Sequence, residues 1–218
     1  MSHDALQTYW QGKLETIKAA LEDNNFKVWI ADSMDSACSI FWSKIFDQVK
    51  PQSVSFGGSM TVVNSGLYAD LKERSDIQVI DTYDTSAPKE EFLERRRQSL
   101  LSDLFITGTN AVTKEGHLVN LDGLGNRVAG LTFGPRHVAL LIGRNKVVTD
   151  MEQAIERIKD FAAPANTIRL NKKTPCVKTF QCEDCSSPDR ICNTWTITEK
   201  SNPPDRVKII LINDNVGY

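Results

Sequence analysis

The stretch VALLIGRNKVVTDMEQAIERIKDF, residues 138–161, decides the fold that we predict for this chain. Its first five residues are all apolar, which is typical of a strand buried on both faces of a parallel sheet. Gly143 begins a turn, and Thr149 or Asp150 can cap the helix predicted through Phe161. A buried strand, a turn and a helix in this order form the repeating unit of an α/β fold.

The same order of elements recurs on both sides of this stretch. Apolar strands are predicted at FKVWIA, DLFIT and VKIILI, which occupy residues 26–31, 103–107 and 207–212. Helical periodicity fills much of the chain between them and is clear in residues 3–24. The alternation predicts an α/β fold with a mostly parallel sheet covered by helices.

Three further segments carry expectations that bear on the site. A helix that begins near Thr61 is expected to be interrupted near Gly66, and residues 128–133 fit either a strand or a short helix. The helix after Asp150 is expected to end before Pro164. Residues 165–205 are interpreted as a long loop-like insertion before the last strand.

Length and composition indicate a single water-soluble domain. The 218 residues suffice for one hydrophobic core, and 40% hydrophobic with 25% charged residues is ordinary for a globular protein. A net charge of −2 argues against nucleic acid or an anionic membrane as a partner. No apolar run is long enough to span a bilayer, and residues 1–10 do not resemble a signal peptide, so we expect a cytoplasmic location.

A cluster of cysteines near the C-terminus predicts a metal site. The pattern C-x5-C-x2-C-x6-C is formed by Cys176, Cys182, Cys185 and Cys192. Two cysteines separated by two residues can hold one metal from a single turn, and two more complete a set of four sulfur ligands. Such a set suits zinc or an iron–sulfur cluster of the 4Fe-4S type, and spacing does not choose between them.

Two other interpretations of these cysteines are disulfides and unrelated loop thiols. Thiols stay reduced in the cytoplasm, which favours metal binding over disulfides. The segment also has little apolar material of its own, so that a metal would supply folding energy there. Cys38 falls on a predicted helix and is interpreted as a small buried side chain.

Several glycine-rich turns predict a pocket for an anion. Gly57, Gly58 and Ser59 lie between a strand and a helix, where backbone amides can cradle an anion. Ligands of open α/β sheets gather outside the carboxyl ends of the strands. The polar residues expected around the pocket are Thr61, Asn110, Asn120, Asp122, Asn126, Arg127, Asn145 and Lys146. Arg127 and Lys146 are the side chains expected to hold a carboxylate or phosphate.

The turns also fit a plainer interpretation as tight βα connections. The residues Arg95–Arg97 similarly fit either a solvated helix face or an anion site. No Ser-His-Asp or Cys-His arrangement can be read, and Glu115 and Asp122 are the acids nearest the pocket. The residues therefore leave open whether the protein is an enzyme.

Three longer motifs stand out: GGSMTVVNSGL at 57–67, FITGTNAVTKEGHLVNLDGLGNRVAGLTFGP at 105–135 and IGRNKVV at 142–148. These motifs resemble the LUD (lactate utilisation) family of LutC-like proteins. The tail PCVKTFQCEDCSSPDRIC at 175–192 resembles the cysteine-bearing branch of that family. The likeness runs from about residue 10 to Tyr218.

The resemblance implies a three-layer, Rossmann-like α/β fold of the NagB/RpiA/CoA-transferase-like type. It further implies one LUD domain over residues 1–218, with the cysteine-rich insertion at about 165–205. The positions that match the family motifs are Gly57, Gly58, Ser59, Asn110, Thr113, Asp122, Asn126, Arg127, Asn145 and Lys146.

The resemblance leaves three functions open. Some family members serve in oxidation of L-lactate to pyruvate with an iron–sulfur partner, which implies a redox-associated accessory protein of organic-acid metabolism. Related folds bind sugar phosphates or CoA esters, which implies an enzyme with a structural zinc. The third is a regulatory ligand-binding protein. The expected partners are a small anionic metabolite and an iron–sulfur redox protein, and homo-oligomerisation is left open.

Overall fold

A six-stranded sheet forms the centre of the molecule in this computed structural model, which describes residues 3–84 and 86–218. Every neighbouring pair of its strands is parallel. In spatial order the strands are β1 Lys27–Ala31, β10 Val207–Ile212, β7 His137–Gly143, β4 Leu104–Thr107, β2 Ser53–Phe56 and β3 Gln78–Ile80. The predicted parallel sheet is therefore confirmed.

Helices cover both faces of this sheet. They are α1 His3–Asp23, α2 Met34–Ile40, α3 Asp47–Val49, α4 Met60–Asn64, α5 Leu67–Lys72, α6 Lys89–Gln98, α7 Asn126–Thr132, α8 Met151–Arg157, α9 Ala163–Arg169 and α10 Cys176–Thr179. Turns of π-helix at Phe41–Phe46 and Ile158–Ala162 join α2 to α3 and α8 to α9, and turns of 3₁₀-helix occupy Ser99–Leu101 and Arg144–Lys146.

The sheet separates two apolar clusters, which gives the three-layer arrangement. On one face, Leu140 of β7 belongs to the cluster that contains Leu14 and Leu21 of α1. On the other face, Leu141 belongs to the cluster that contains Leu67 of α5. Successive side chains of a strand point to opposite faces, so a strand buried on both sides must be apolar throughout. This explains the unbroken apolar run that predicts the fold.

A smaller mixed sheet, which the sequence does not predict, stands beside the carboxyl ends of the central strands. Its strands are β8 Val147–Val148, β5 Ala111–Thr113, β6 Leu118–Asp122 and β9 Thr194–Thr198, in that spatial order. Ala111, Leu121 and Val148 pack with Ala154 and Ile158 in a third apolar cluster. This cluster fixes the α8 segment against the small sheet.

The expectation for residues 165–205 is wrong in part, because this segment contains the end of α9, all of α10 and strand β9. The helix predicted to end before Pro164 instead continues to Arg169. Pro164 lies in the first turn of α9, directly after the π-helical turn, where a missing N–H is tolerated.

Two smaller expectations are resolved by the backbone. Residues 128–133 fall largely within helix α7 rather than in a strand. The interruption near Gly66 is confirmed, since Gly66 has a φ of 85° and separates α4 from α5. Within the described residues, no helix has the length and apolarity required to cross a membrane.

Candidate functional site

A cleft of about 640 Å³ opens beyond the carboxyl ends of β2, β4 and β7. The turn at Gly58 and Ser59 follows β2, the turn at Gly108–Asn110 follows β4, and Lys146 follows β7. Helices α6 and α9 supply further parts of the wall. The position agrees with the rule that ligands of open α/β sheets bind outside the carboxyl ends of the strands.

Seven of the predicted pocket residues line this cleft. They are Gly58, Ser59, Asn110, Asp122, Asn126, Arg127 and Lys146. Asn126 makes no side-chain hydrogen bond to another described residue, which leaves its amide free to meet a ligand.

The other predicted residues lie behind the wall. Gly57 is packed so closely that a Cβ there would stand 2.6 Å from Oγ1 of Thr107. Thr61 Oγ1 accepts a hydrogen bond of 3.3 Å from Lys146 Nζ. The amide of Asn145 donates to the Gly217 carbonyl at 3.0 Å. These residues shape the cleft from outside it.

Thr113 and Asn120 also lie outside the lining of the cleft. Thr113 Oγ1 accepts from the backbone N–H of His117 at 3.2 Å, in the turn between β5 and β6. Asn120 is fully buried, and its side-chain oxygen accepts from Thr109 Oγ1 at 3.0 Å. The hydrogen bonds of both side chains therefore stabilise the small sheet.

Arg127 uses all five of its N–H groups within the protein. Its Nε donates to Asp122 at 3.1 Å, and its Nη1 donates to Gly108 O at 3.3 Å and to Asn120 at 2.6 Å. Its Nη2 donates to Asn110 at 2.8 Å and to Leu121 O at 2.9 Å. A guanidinium has five N–H donors, so none is left for a ligand.

The Arg127 side chain thus builds the cleft rather than offering a free donor to an anion. It connects the turn after β4 with the end of β6. Asp122 is committed in the same way, since its second oxygen accepts from the Gly125 N–H at 2.8 Å. This uses both oxygens of an acid that the sequence predicts to lie beside the pocket.

Positive charge in the cleft comes from other side chains. Four lining cations have no carboxylate at ion-pair distance within the described part of the chain: Arg96, Lys146, Arg169 and Lys172. Arg96 is partly buried against the ring of Phe92, and Arg169 binds the side-chain oxygen of Asn166 at 2.7 Å. Asp189 is a lining acid whose carboxylate accepts from the backbone N–H of Lys173 at 2.9 Å and pairs with no arginine or lysine side chain within the described residues.

The sequence predicts only part of this set of cations. Arg96 belongs to the arginine triplet for which an anion site is one of two interpretations, and the structure brings it to the cleft. Sequence reasoning misses Arg169 and Lys172, because Pro164 indicates a loop after it. Since α9 continues past that proline, its last turn reaches the cleft instead.

Tyr83, which sequence reasoning also misses, holds the first glycine turn. Its hydroxyl donates to the Gly57 carbonyl at 2.7 Å and accepts from the Ser59 N–H at 3.0 Å. Burial raises the pKa of Tyr83 to about 12, so the phenol keeps its proton and its bond to Gly57.

Lys146 is the most buried of the four unpaired cations, with 4% of its surface exposed. Burial lowers the pKa of its amine to about 7, and the charges of Arg157 and Arg127 act in the same direction. A lysine with this pKa is partly uncharged at neutral pH.

The four cysteines of the tail surround a second, much smaller cavity. Cys176 Sγ lies 3.3 Å from Thr167 Oγ1 and 3.2 Å from Thr174 Oγ1. The backbone N–H of Asp184 donates to Cys182 Sγ at 3.4 Å. Such N–H to sulfur contacts are the ones expected of a turn that presents thiolates to a metal.

Arg190 braces the cysteine segment. Its Nη1 donates to the carbonyl of Cys185, its Nε donates to the carbonyl of Cys192 at 2.8 Å, and its Nη2 binds Asp184 at 2.9 Å. Arg190 and Ile191 line both cavities and form a shared wall.

The four cysteines of the tail share the lining of one cavity. In residues 3–84 and 86–218, no group of three or more His, Cys, Asp or Glu side chains is placed to hold a metal ion. Cys38 lies elsewhere and packs against the apolar cluster that contains Leu67.

Comparison with known proteins identifies the family. The LUD domain model matches residues 14–212, which include the cleft-lining turns and all four cysteines of the tail. The chain belongs to the LUD domain family. No curated protein matches this LUD chain.

Among solved structures, the LUD chain is similar to a DUF162 family protein from Deinococcus radiodurans. The two share 13% sequence identity with a TM-score of 0.48, over 94% of this chain and 98% of that one.

Proposed function

We propose that this LUD protein binds a small anionic metabolite in the cleft and holds an iron–sulfur cluster or zinc at the four cysteines. In this proposal it is a redox-associated accessory protein of organic-acid metabolism. The observation that carries the proposal is the set of unpaired cations on the cleft wall.

Charge balance supports an anionic ligand. An ionised side chain that is removed from water costs free energy unless an opposite charge or hydrogen bonds compensate. Arg96 of α6 is partly buried, and its guanidinium donates only to the neutral carbonyl of Phe92. Arg169, at the end of α9, is exposed and binds the neutral side-chain oxygen of Asn166. A carboxylate or phosphate beside Arg96 supplies the missing charge, and guanidinium groups bind such anions in pairs of hydrogen bonds.

The size of the cleft supports an organic ligand rather than a single inorganic ion. Its volume of about 640 Å³ falls within the range usual for small-molecule sites, roughly 300–1,000 Å³. Leu124 and Ile158 add apolar surface to a wall that is otherwise polar. A ligand with an anionic end and a short carbon skeleton can contact both the polar and the apolar parts of this wall.

The donor set of the tail supports a metal or cluster. Four thiols that face one cavity match the ligands of zinc and of iron–sulfur clusters. A single zinc requires each sulfur at about 2.3 Å, so the cysteine side chains must rearrange to bind it, since they are not placed as a ligand set in the described chain. A cluster, when bound, supplies one-electron chemistry, whereas a closed zinc site stabilises the segment.

The shared wall links the two proposed sites. Arg190 contacts the carbonyl groups of two of the cysteines and also lines the anion cleft. The two proposed sites therefore share part of their lining. This proximity supports a redox-associated role over two unrelated sites.

Calorimetric titration at low ionic strength tests the cleft. The panel is inorganic phosphate, glycerol 3-phosphate, L-lactate, citrate and coenzyme A. We expect at least one organic anion to bind more tightly than inorganic phosphate, with an affinity that falls as salt is added. Preference for a phosphate compound or coenzyme A would favour an enzyme of the sugar-phosphate or CoA type, and no binding by any of the panel would contradict the proposal.

Analysis of metal and acid-labile sulfide in protein purified without oxygen tests the tail. We expect either iron with sulfide or zinc to be retained. Cys182→Ser should lower that content and the melting temperature together. Cys38→Ser is the matched control. This thiol packs against an apolar cluster away from the four cysteines of the tail, so the variant should retain the metal. Metal-free wild type, or equal content in both variants, would contradict the proposed site.

A further inference from the structure

The amine of Lys146 is placed unlike that of an ordinary buried lysine. The residue follows the central strand β7 and lines the cleft, yet it is almost completely removed from bulk solvent. Its Nζ donates to the neutral hydroxyl of Thr61 at 3.3 Å. No carboxylate of the described chain lies at ion-pair distance from it.

Lys208 shows what a structural lysine looks like in the same molecule. It has 8% of its surface exposed, and its Nζ donates to the Asp205 carbonyl at 2.6 Å. The Nδ1 atom of His137 lies 3.1 Å from the same Nζ. Lys208 is therefore held by two close polar partners, whereas Lys146 is held by one hydroxyl.

Two charged side chains near Lys146 disfavour its protonated form. Arg127 of α7 and Arg157 of α8 are both cationic and lie close enough to lower its pKa. Thr61 of α4 is neutral, and the cleft acid Asp122 is paired with Arg127. An amine in these surroundings exists in part as the free base at neutral pH and is then a nucleophile.

We propose that Lys146 forms an imine with a carbonyl group of the bound anion. The ligand class is then a small oxo acid or a phosphorylated aldehyde or ketone. This inference rests on the proposed anion cleft and adds a covalent step to it. The anionic end meets Arg96 or Arg169, and the carbonyl carbon meets Nζ.

The covalent step balances without any further reactant. The lone pair of Nζ attacks the carbonyl carbon, the C=O π electrons move to the oxygen, and one amine proton passes to that oxygen to give a carbinolamine. The hydroxyl then leaves with the second amine proton as water, and the nitrogen electron pair forms the C=N bond. One carbonyl compound and one primary amine give one imine and one water. The hydrogen bond to Thr61 orients Nζ before the attack.

Reductive trapping tests the inference. The full-length protein is incubated with pyruvate, 2-oxoglutarate or dihydroxyacetone phosphate in the presence of sodium cyanoborohydride, and the adduct is located by peptide mapping. We expect at least one compound to label Lys146, with a rate that rises through pH 7 as the amine loses its proton. Labelling that spares Lys146, or none with all three compounds, overturns the proposal.

Two substitutions sharpen the result. Lys146→Arg keeps the positive charge but has no primary amine, so it should abolish the adduct. Lys208→Arg changes the buried lysine outside the cleft and should leave the adduct at wild-type level. Mapping on the wild type decides the question even where a variant folds poorly.

Failure of the inference can be told apart from failure of the cleft. The counterparts that lack the carbonyl, L-lactate, 2-hydroxyglutarate and glycerol 3-phosphate, are titrated in the calorimeter in parallel. Binding of these anions without trapping of their oxo analogues overturns the imine and leaves the anion cleft standing. Absence of both contradicts the cleft itself.

Discussion

The guanidinium of Arg127 connects turns that are far apart in the sequence. Its side chain and that of Asp122 are about equally buried, with 9% and 10% exposed. Arg127→Lys keeps one charge but cannot reach five acceptors in different directions. We expect the free energy of unfolding to fall by about 3 kcal/mol, because several buried acceptors lose their donors and each lost hydrogen bond costs about 1 kcal/mol. Urea unfolding of wild type and variant measures this change in free energy.

Arg136→Lys serves as the control for that experiment. Arg136 also pairs with an aspartate, Asp103, but its side chain is 80% exposed. Exposed pairs contribute little, so a change of less than about 1 kcal/mol is expected. Equal losses in the two variants would contradict the bracing role of Arg127.

The buried amine of Lys146 predicts a pH dependence of stability. Its pKa is about 7 in the folded chain, against the ordinary lysine value of 10.5 once the chain unfolds, so the unfolded chain binds more protons between these values. The unfolding free energy contributed by Lys146 therefore rises with pH across this window and is constant below it. Urea unfolding from pH 7 to 10 should show a steeper rise for wild type than for Lys146→Met, and parallel curves would contradict the assignment.

At the scale of the elements, helix caps can be predicted from the sequence, whereas some helix ends cannot. The predicted cap at Asp150 is present, because a cap depends on neighbours within three residues. The end of the α8–α9 segment is not predictable in this way. Pro164 normally stops a helix, but the preceding π-helical turn places it at a helix start. That rearrangement depends on tertiary packing, which a local pattern does not contain.

The cysteine segment carries a prediction of its own. Arg190 holds the carbonyl groups of Cys185 and Cys192, so Arg190→Gln should loosen the segment and shorten the time for which metal is retained under chelation. The measurement is metal release to a chelator with time. Lys178→Gln changes an exposed residue of α10 and should release metal at the wild-type rate. Identical rates for both variants would show that the brace does not support the site.

At the scale of the whole molecule, the parallel sheet is predictable from the sequence and the small sheet is not. Strands buried on both faces leave long apolar runs, such as that of residues 138–142, and these are visible in the sequence. Strands β5 and β8 have only 3 and 2 residues, and they pair with partners far along the chain. So short a segment has no recognisable periodicity.

The candidate site also has features that can be predicted from the sequence and features that cannot. The turns after β2, β4 and β7 can be predicted to meet, because parallel strands end at the same edge of a sheet. The positions of the cations Arg169 and Lys172 cannot be predicted, since they depend on the path of α9 across that edge. The role of Arg127 is also hidden in the sequence, because its five acceptors become neighbours only on folding.

The most direct test of the anion cleft compares two adjacent arginines of α6. Arg96 lines the cleft, whereas Arg97 is 72% exposed and pairs with Glu94. The affinity of the best ligand of the panel is measured by calorimetry for wild type, Arg96→Gln and Arg97→Gln. The cleft predicts at least a tenfold loss for Arg96→Gln, about 1.4 kcal/mol, and wild-type affinity for Arg97→Gln. Equal affinities for all three proteins would contradict the cleft as the binding site.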